Sequence, residues 1–160
     1  MAYVELNREK LVFNYKYLEK LFKKHNIQWG VVTKVLCGNE LFISEVLRLG
    51  IKQVCDSRTS NLRVIKKLNP DIETIYIKPP AIRNIKNVVK YADISLNTEY
   101  LTIKGLSEEA QKQNKLHKII IMIEMGDLRE GVLRKEFINF YSRVFNLPHI
   151  EVIGLGTNLN

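Results

Sequence analysis

Cysteine is scarce in this sequence. The two residues present, Cys37 and Cys55, are too few to staple 160 residues, which excludes a disulfide-framed mini-protein. Long apolar runs are also missing: nothing approaches the roughly 18 consecutive residues a membrane span requires. The start, Met1 to Lys10, is charged too early for a signal peptide, so a cytoplasmic protein is expected. No Walker-type loop and no Gly-x-Gly-x-x-Gly occurs, which removes the two commonest phosphate-cradling signatures. With four prolines and no Pro/Gly/Ser linker, no internal domain boundary is visible. Acidic residues are outnumbered, 17 against 25 basic, for a net charge of +8. The lysines are scattered through amphipathic segments, which is the pattern of a solvated surface, and no nucleic-acid partner is expected.

What is present is 46% apolar residues and one pattern repeated from end to end. Leu11, Tyr15, Leu18 and Phe22 fall on one helical face. A β-rich run follows at Trp29 to Val35. A second helix is predicted from the N-cap Asn39, with Phe42, Val46 and Leu49 on one stripe and Gly50 as its stop. The alternation goes on with a strand at Ile51 to Cys55, a helix at Thr59 to Leu68, a strand at Thr74 to Ile77, and a helix after Pro79-Pro80 through Val89. It then runs through a strand at Asp93 to Leu96, a helix at Glu99 to Gln113, a strand at Lys118 to Ile123, a helix at Lys135 to Phe145, and a last strand at Glu151 to Leu155. Ile119 to Ile123 is apolar on both faces, as a strand of a parallel sheet covered by helices must be.

Six strands alternating with helices fit two α/β architectures. One is an open doubly wound sheet. The other follows from the spacing: roughly 27 residues per unit would need on the order of 210 residues for eight units, the lower part of the (β/α)₈ range. The fold class expected is therefore α/β, an incomplete TIM-like (β/α)₈ barrel with about six parallel strands and surrounding helices. On this reading residues 1–160 are the N-terminal portion of a barrel domain, about two units short of closure.

In either architecture chemistry collects at the C-terminal ends of the strands. His25, His117 and His149 fall at the opposite end, so a histidine triad or histidine metal site is not expected. The C-terminal ends instead carry Thr33 and Lys34; Asp56, Ser57 and Arg58; Lys78; Asn97; Glu124, Asp127 and Arg129; Thr157 and Asn158. Lys34 sits within Val31-Val32-Thr33-Lys34-Val35. If buried there, desolvation would favour its neutral amine, the nucleophile that forms imines with carbonyl compounds. A lysine at a strand end reaching into solvent fits the same letters. Cys37 and Cys55 follow neighbouring strands and read as small buried apolar residues.

Several of these residues lie in segments that resemble a known family. Leu6-Asn7-Arg8-Glu9-Lys10-Leu11 with Asn14-Tyr15, and Val31-Val32-Thr33-Lys34-Val35 with Gly38-Asn39, are similar to the N-terminal part of alanine/ornithine racemases. So are Asp56-Ser57-Arg58, Tyr91-Ala92-Asp93-Ile94-Ser95-Leu96-Asn97, Met125-Gly126-Asp127-Leu128-Arg129-Glu130-Gly131 and Gly154-Leu155-Gly156-Thr157-Asn158-Leu159. The motifs occur in order over essentially the whole chain, and they most resemble the ornithine-racemase-like branch. These are pyridoxal-phosphate enzymes with a TIM-like barrel followed by a β-domain.

The resemblance implies pyridoxal 5'-phosphate as cofactor and a small amino acid as substrate. Lys34 matches the lysine that carries the cofactor as a Schiff base and serves as one of two bases at the substrate α-carbon. Arg129 resembles the arginine that lies near the cofactor ring and helps bind the substrate carboxylate, for which a guanidinium fork is suited; pairing with Asp127 or Glu130 is the plainer alternative. Asn158 stands where alanine racemases carry a histidine beside the ring, and is assigned a cofactor contact. Gly38 replaces a tyrosine that contacts the phosphate in alanine racemases proper. The family's opposing tyrosine base and most of its phosphate-binding backbone come from later segments, so this chain alone is expected to lack racemase activity. Open barrel edges would favour self-association or a homo-oligomer. The alternative function is a non-catalytic pyridoxal-phosphate carrier, since related single-domain barrels bind the cofactor without established racemase activity.

Overall fold

The computed structural model describes residues 3–158. Leu159, the last residue of the final motif quoted above, lies outside them. Six helices alternate with six strands: α1 (Arg8–Lys24), β1 (Val31–Val32), α2 (Glu40–Leu47), β2 (Gln53–Asp56), α3 (Thr59–Leu68), β3 (Glu73–Tyr76), α4 (Ile85–Tyr91), β4 (Ile94–Asn97), α5 (Tyr100–Lys112), β5 (His117–Met122), α6 (Phe137–Phe145) and β6 (Ile150–Gly156). The helix starts follow from local chemistry. The Asn7 side chain accepts from Lys10 N at 2.9 Å and that of Asn39 from Phe42 N at 3.2 Å, each satisfying a backbone donor that a helix leaves unpaired in its first turn. Past α2 the chain turns at Gly50, whose φ of +80° suits a residue without a side chain.

All five strand pairings are parallel, and the order in the sheet is β1-β2-β3-β4-β5-β6. This order separates the two architectures the sequence left open. A doubly wound sheet reverses direction at a switch point, whereas a barrel adds each strand beside the last. The fold is a six-stranded arc of a TIM-like barrel. Alternation along the strands divides the apolar residues between two layers. Val54, Tyr76, Ile119 and Ile121 pack with Leu62, Ile65, Val88, Ile103 and Leu106 from the helices. Cys55, Ile75 and Ile94, with Ile77, Leu96 and Ile120, pack on the other face. Between β5 and β6 the register shifts at Ile119/Ile120, so that Ile153 is an extra residue opposite the β5 ladder.

The structure corrects one boundary that matters. The first β-rich run was expected to extend from Trp29 to Val35, but β1 covers Val31–Val32, and Lys34–Leu36 form a one-turn 3₁₀ helix. The cause is Thr33. Its N donates to Cys55 O at 3.0 Å and its Oγ1 to Asp56 Oδ2 at 2.9 Å, after which Leu36 N and Cys37 N return to Thr33 O and Lys34 O. Lys34 is therefore exposed on a turn, the solvent-reaching alternative, rather than enclosed in a strand. Cys55 is buried as expected, but Cys37 is exposed, and both thiols are free.

Candidate functional site

Because every strand is parallel, the C-terminal ends gather on one rim. Lys34 follows β1, Asp56 closes β2, Lys78 follows β3, Asn97 closes β4, the Glu124–Arg129 segment follows β5, and Asn158 follows β6. The histidines lie where the sequence put them, at helix end or strand start. His25 caps the C-terminus of α1, His117 opens β5, and His149 precedes β6.

The Lys34 turn is held at its base. Thr33 is buried, with its backbone and hydroxyl both committed to the end of β2. After Lys34 the backbone passes through left-handed conformations at Cys37 (φ +48°) and Gly38 (φ +77°). A side chain on Gly38 would meet Asn61 Oδ1 at 3.0 Å, so the turn comes back against the first turn of α3. Between these two contacts lies Asp56, fully buried, which accepts from Thr33 Oγ1, from Arg58 N at 2.9 Å, and from Asn61 Nδ2 at 3.2 Å on each oxygen.

On the far side of the rim, the segment after β5 folds back on the strand. Val132 N donates to Met122 O at 2.8 Å and Glu124 N to Val132 O at 3.1 Å. Gly131 permits that approach, since a Cβ there would stand 2.3 Å from Glu124 N. The Glu124 side chain accepts from Gly126 N and Leu128 N, shaping the loop that presents Arg129. Arg129 is exposed, and its Nε lies 3.8 Å from Glu130 Oε2. The other Glu130 oxygen, Oε1, accepts from Asn158 Nδ2 at 2.9 Å. One carboxylate thus joins two of the three expected site residues. The pairing of Arg129 with Glu130 raised from the sequence is present, but it ties the arginine to Asn158 rather than to open surface alone.

Lys34 has no recorded hydrogen bond or ion pair with Arg129 or Asn158 among the described residues, and β1 and β6 are opposite edges of the sheet. Asn97 is turned into the protein, where Nδ2 donates to Ser95 O and Ser95 Oγ, leaving Oδ1 buried without a partner. Two features were not foreseen. Glu130 acts as a bridge across 28 residues of sequence, which no local pattern reveals. Asp56 was visible as a polar residue at a strand end and in the Asp56-Ser57-Arg58 motif, but nothing local revealed its burial. A cavity of about 490 Å³ lies at the other end of the strands, lined by Tyr15, Glu19, Trp29, Lys52, Gln53 and Glu73. Its two acids are already engaged, Glu19 by Trp29 Nε1 at 3.0 Å and Glu73 by Gln53 Nε2.

The six parallel strands in unbroken order, with these polar residues gathered at their C-terminal ends, define a domain of the α/β barrel class. The chain belongs to the alanine racemase N-terminal domain family, whose model matches residues 6–160. It is 33% identical over 157 residues to an ornithine racemase of Acetoanaerobium sticklandii, covering 98% of this chain and 44% of that protein. To a lysine racemase of Thermotoga maritima it is 25% identical over 153 residues, covering 96% and 42%. The chain thus spans under half the length of these curated relatives. Among solved structures, PipY of Synechococcus elongatus PCC7942 with pyridoxal phosphate bound superposes with a TM-score of 0.77 at 14% identity, covering 91% of this chain and 70% of that one. An alanine racemase from Bartonella henselae with covalently bound pyridoxal phosphate gives 0.75 at 17% identity, covering 96% and 45%. These structural likenesses establish the shared barrel fold.

Proposed function

We propose that this chain supplies the lysine side of a pyridoxal-phosphate-dependent amino-acid racemase site, with a basic amino acid of the ornithine or lysine type as substrate. The observation that carries the reading is Lys34: an exposed primary amine on a turn anchored by buried hydrogen bonds, on the active rim of a chain of this family. The donor set suits the cofactor. An amine condenses with an aldehyde with loss of water. Arg129 is exposed, with its Nε 3.8 Å from Glu130, and its guanidinium fork suits a carboxylate. Asn158, held by Glu130, offers a carboxamide next to it.

When bound, the cofactor supplies an electron sink for the pair left behind by the substrate α-proton. The work of this chain's residues is then to hold and move that proton. Lys34 Nζ would hold the cofactor and, as a free amine, would accept the substrate α-proton or return it. Arg129 would bind the substrate carboxylate. Asn158 would offer its carboxamide to the cofactor. Exchange of configuration needs a second base on the opposite face. None of the residues assigned here provides it, so the 160-residue polypeptide assayed alone is expected to attach the cofactor without appreciable turnover of ornithine, lysine or alanine.

The test is to mix the chain with pyridoxal phosphate, reduce with borohydride, and locate the modified residue by mass spectrometry. Modification concentrated at Lys34 supports the reading; modification scattered over surface lysines, or none, overturns it. A second reading, a pyridoxal-phosphate carrier without racemase activity, is favoured by the larger share of PipY that the fold covers. It predicts attachment at Lys34 that is indifferent to substitution of Arg129. The sheet edges bear on partners: β1 and β6 each pair on one side only, and Val32 and Leu155 are about half exposed at these edges, which favours self-association.

A further inference from the structure

We propose that Asp56 is a positioning residue for Lys34: its buried carboxylate, acting through Thr33 on one side and Asn61 on the other, fixes the turn that carries the lysine. The inference rests on the proposed role of Lys34 and deepens it.

A carboxylate with no solvent contact is costly unless paired. Asp56 is fully buried, and the recorded partners of its side chain are all neutral: the Thr33 hydroxyl, the Arg58 amide and the Asn61 carboxamide. The positive end of α3 lies over it, since Arg58 is the N-cap residue of that ten-residue helix. An uncharged residue would be cheaper to bury here, but it would not do the same job. The donors come from three directions, and both carboxylate oxygens are used. An asparagine would present an NH₂ group to donors that need an acceptor.

What those donors share is the Lys34 turn. Thr33 immediately precedes Lys34, and its hydroxyl bond to Asp56 holds the point at which the chain leaves β1. Asn61 is oriented by its two contacts with Asp56, and its Oδ1 then forms the wall against which Gly38 closes the turn. The Lys34–Cys37 turn is thereby clamped at entrance and exit by one side chain. Between the clamps the turn is held by its own backbone, Leu36 N to Thr33 O and Cys37 N to Lys34 O, by Asn39 N to Leu36 O at 2.9 Å, by packing of Leu36 against the core, and by a weak contact from Cys37 Sγ to Lys34 O. A short turn of that kind does not hold a catalytic amine in place by itself.

The exposed Cys37 at the end of the turn is a built-in reporter. Burial pushes the thiol of Cys55 up to about 11, with Asp56 and Glu73 adding to the shift, so alkylation near neutral pH reads Cys37. The variants are Thr33→Val, which keeps the shape and removes the hydroxyl, Asp56→Asn, and the conservative Thr33→Ser. Two readouts are taken on the whole 160-residue chain: alkylation rate at Cys37 with hydrogen exchange of residues 34–38, and the rate of borohydride-trapped pyridoxal-phosphate attachment at Lys34. The expected result is about fivefold faster alkylation and exchange, and about fivefold slower attachment, in Thr33→Val and Asp56→Asn, the change that losing one buried hydrogen bond produces. Thr33→Ser should stay at the wild-type values in both. Wild-type alkylation and exchange in Thr33→Val and Asp56→Asn would overturn the proposal. So would a loss of protection spread evenly over β1 to β6, which would mark a merely structural role. The first readout needs no cofactor, so it judges the clamp even if Lys34 proves not to be the attachment site; that failure would fall on the proposed function alone.

Discussion

Acidification from about pH 7 to about pH 5 should cost the fold about 2 kcal/mol through one residue, His117. Its ring is buried at the start of β5, with Nε2 2.9 Å from Ser95 Oγ, and Ser95 Oγ in turn accepts from Asn97 Nδ2 at 2.9 Å. Burial pushes the imidazole down to about 4, with Lys115 adding to the shift and Asp93 opposing it. The unfolded chain therefore binds a proton near pH 6.5 that the folded chain refuses until near pH 4. Stability is fully present above the unfolded value, falls as the pH drops through this window, and levels off below the folded value. The whole drop is worth about 3.5 kcal/mol, of which about 2 is lost by pH 5. Urea unfolding at several pH values reads the slope, and His117→Gln, which cannot titrate, supplies the baseline. Asp93 does not confound the window. Burial alone would raise its carboxyl, but hydrogen bonds from Lys66 and Thr74 outweigh burial and hold it below its ordinary value, so its contribution is lost only at lower pH. If wild type and His117→Gln lose stability in parallel between pH 7 and pH 5, the reasoning is refuted.

Gly131→Ala should destabilise the chain by roughly 1–3 kcal/mol, because its Cβ would fall on the backbone of Ile123 and Glu124, where no side chain can give way; thermal melts measure it. Glu130→Ala should change stability by less than about 1 kcal/mol, since the carboxylate makes only a partly exposed ion pair and one side-chain hydrogen bond. It should nevertheless weaken binding of an amino-acid carboxylate at Arg129 several-fold, as seen by titrating cofactor-loaded chain and following absorbance. Leu62→Ala, fully buried between α3 and the sheet, should cost about 2–5 kcal/mol in the same melts. Leu155→Lys on the β6 edge should shift the sedimentation distribution toward smaller species; an unchanged distribution would remove β6 as an association surface.

The parts of this fold that were legible in the sequence are those set by short-range rules. The helix Thr59 to Leu68 was bounded correctly, because its apolar positions recur at helical spacing and Asn69-Pro70 ends it. The strands fell within two residues of their observed ends, apart from the first, which was carried three residues too far at its C-terminal end. The architecture itself needed a fact that periodicity does not contain, the order of strands in the sheet. Alternation of strand and helix is common to barrels and doubly wound sheets; only the unbroken order from β1 to β6 distinguishes them.

The positions of the candidate residues at the strand ends were legible in the sequence and their couplings were not, and the reason is the same in both instances where the structure added something. The apolar letters of Val31 to Val35 invited extension of β1 through Lys34. What ended the strand was a hydroxyl at Thr33 meeting a carboxylate 23 positions later, which in turn required a carboxamide at Asn61. Glu130 likewise was read only as a possible partner of Arg129 until β6 carried Asn158 to within 2.9 Å of it. Each coupling joins the ends of adjacent strands, β1 with β2 and β5 with β6, so parallel pairing brings together residues that sequence separation hides. A rim built this way carries its candidate side chains on loops but sets their positions through neighbours on the next strand. Substitutions that leave Lys34 or Arg129 untouched can therefore still be expected to move them.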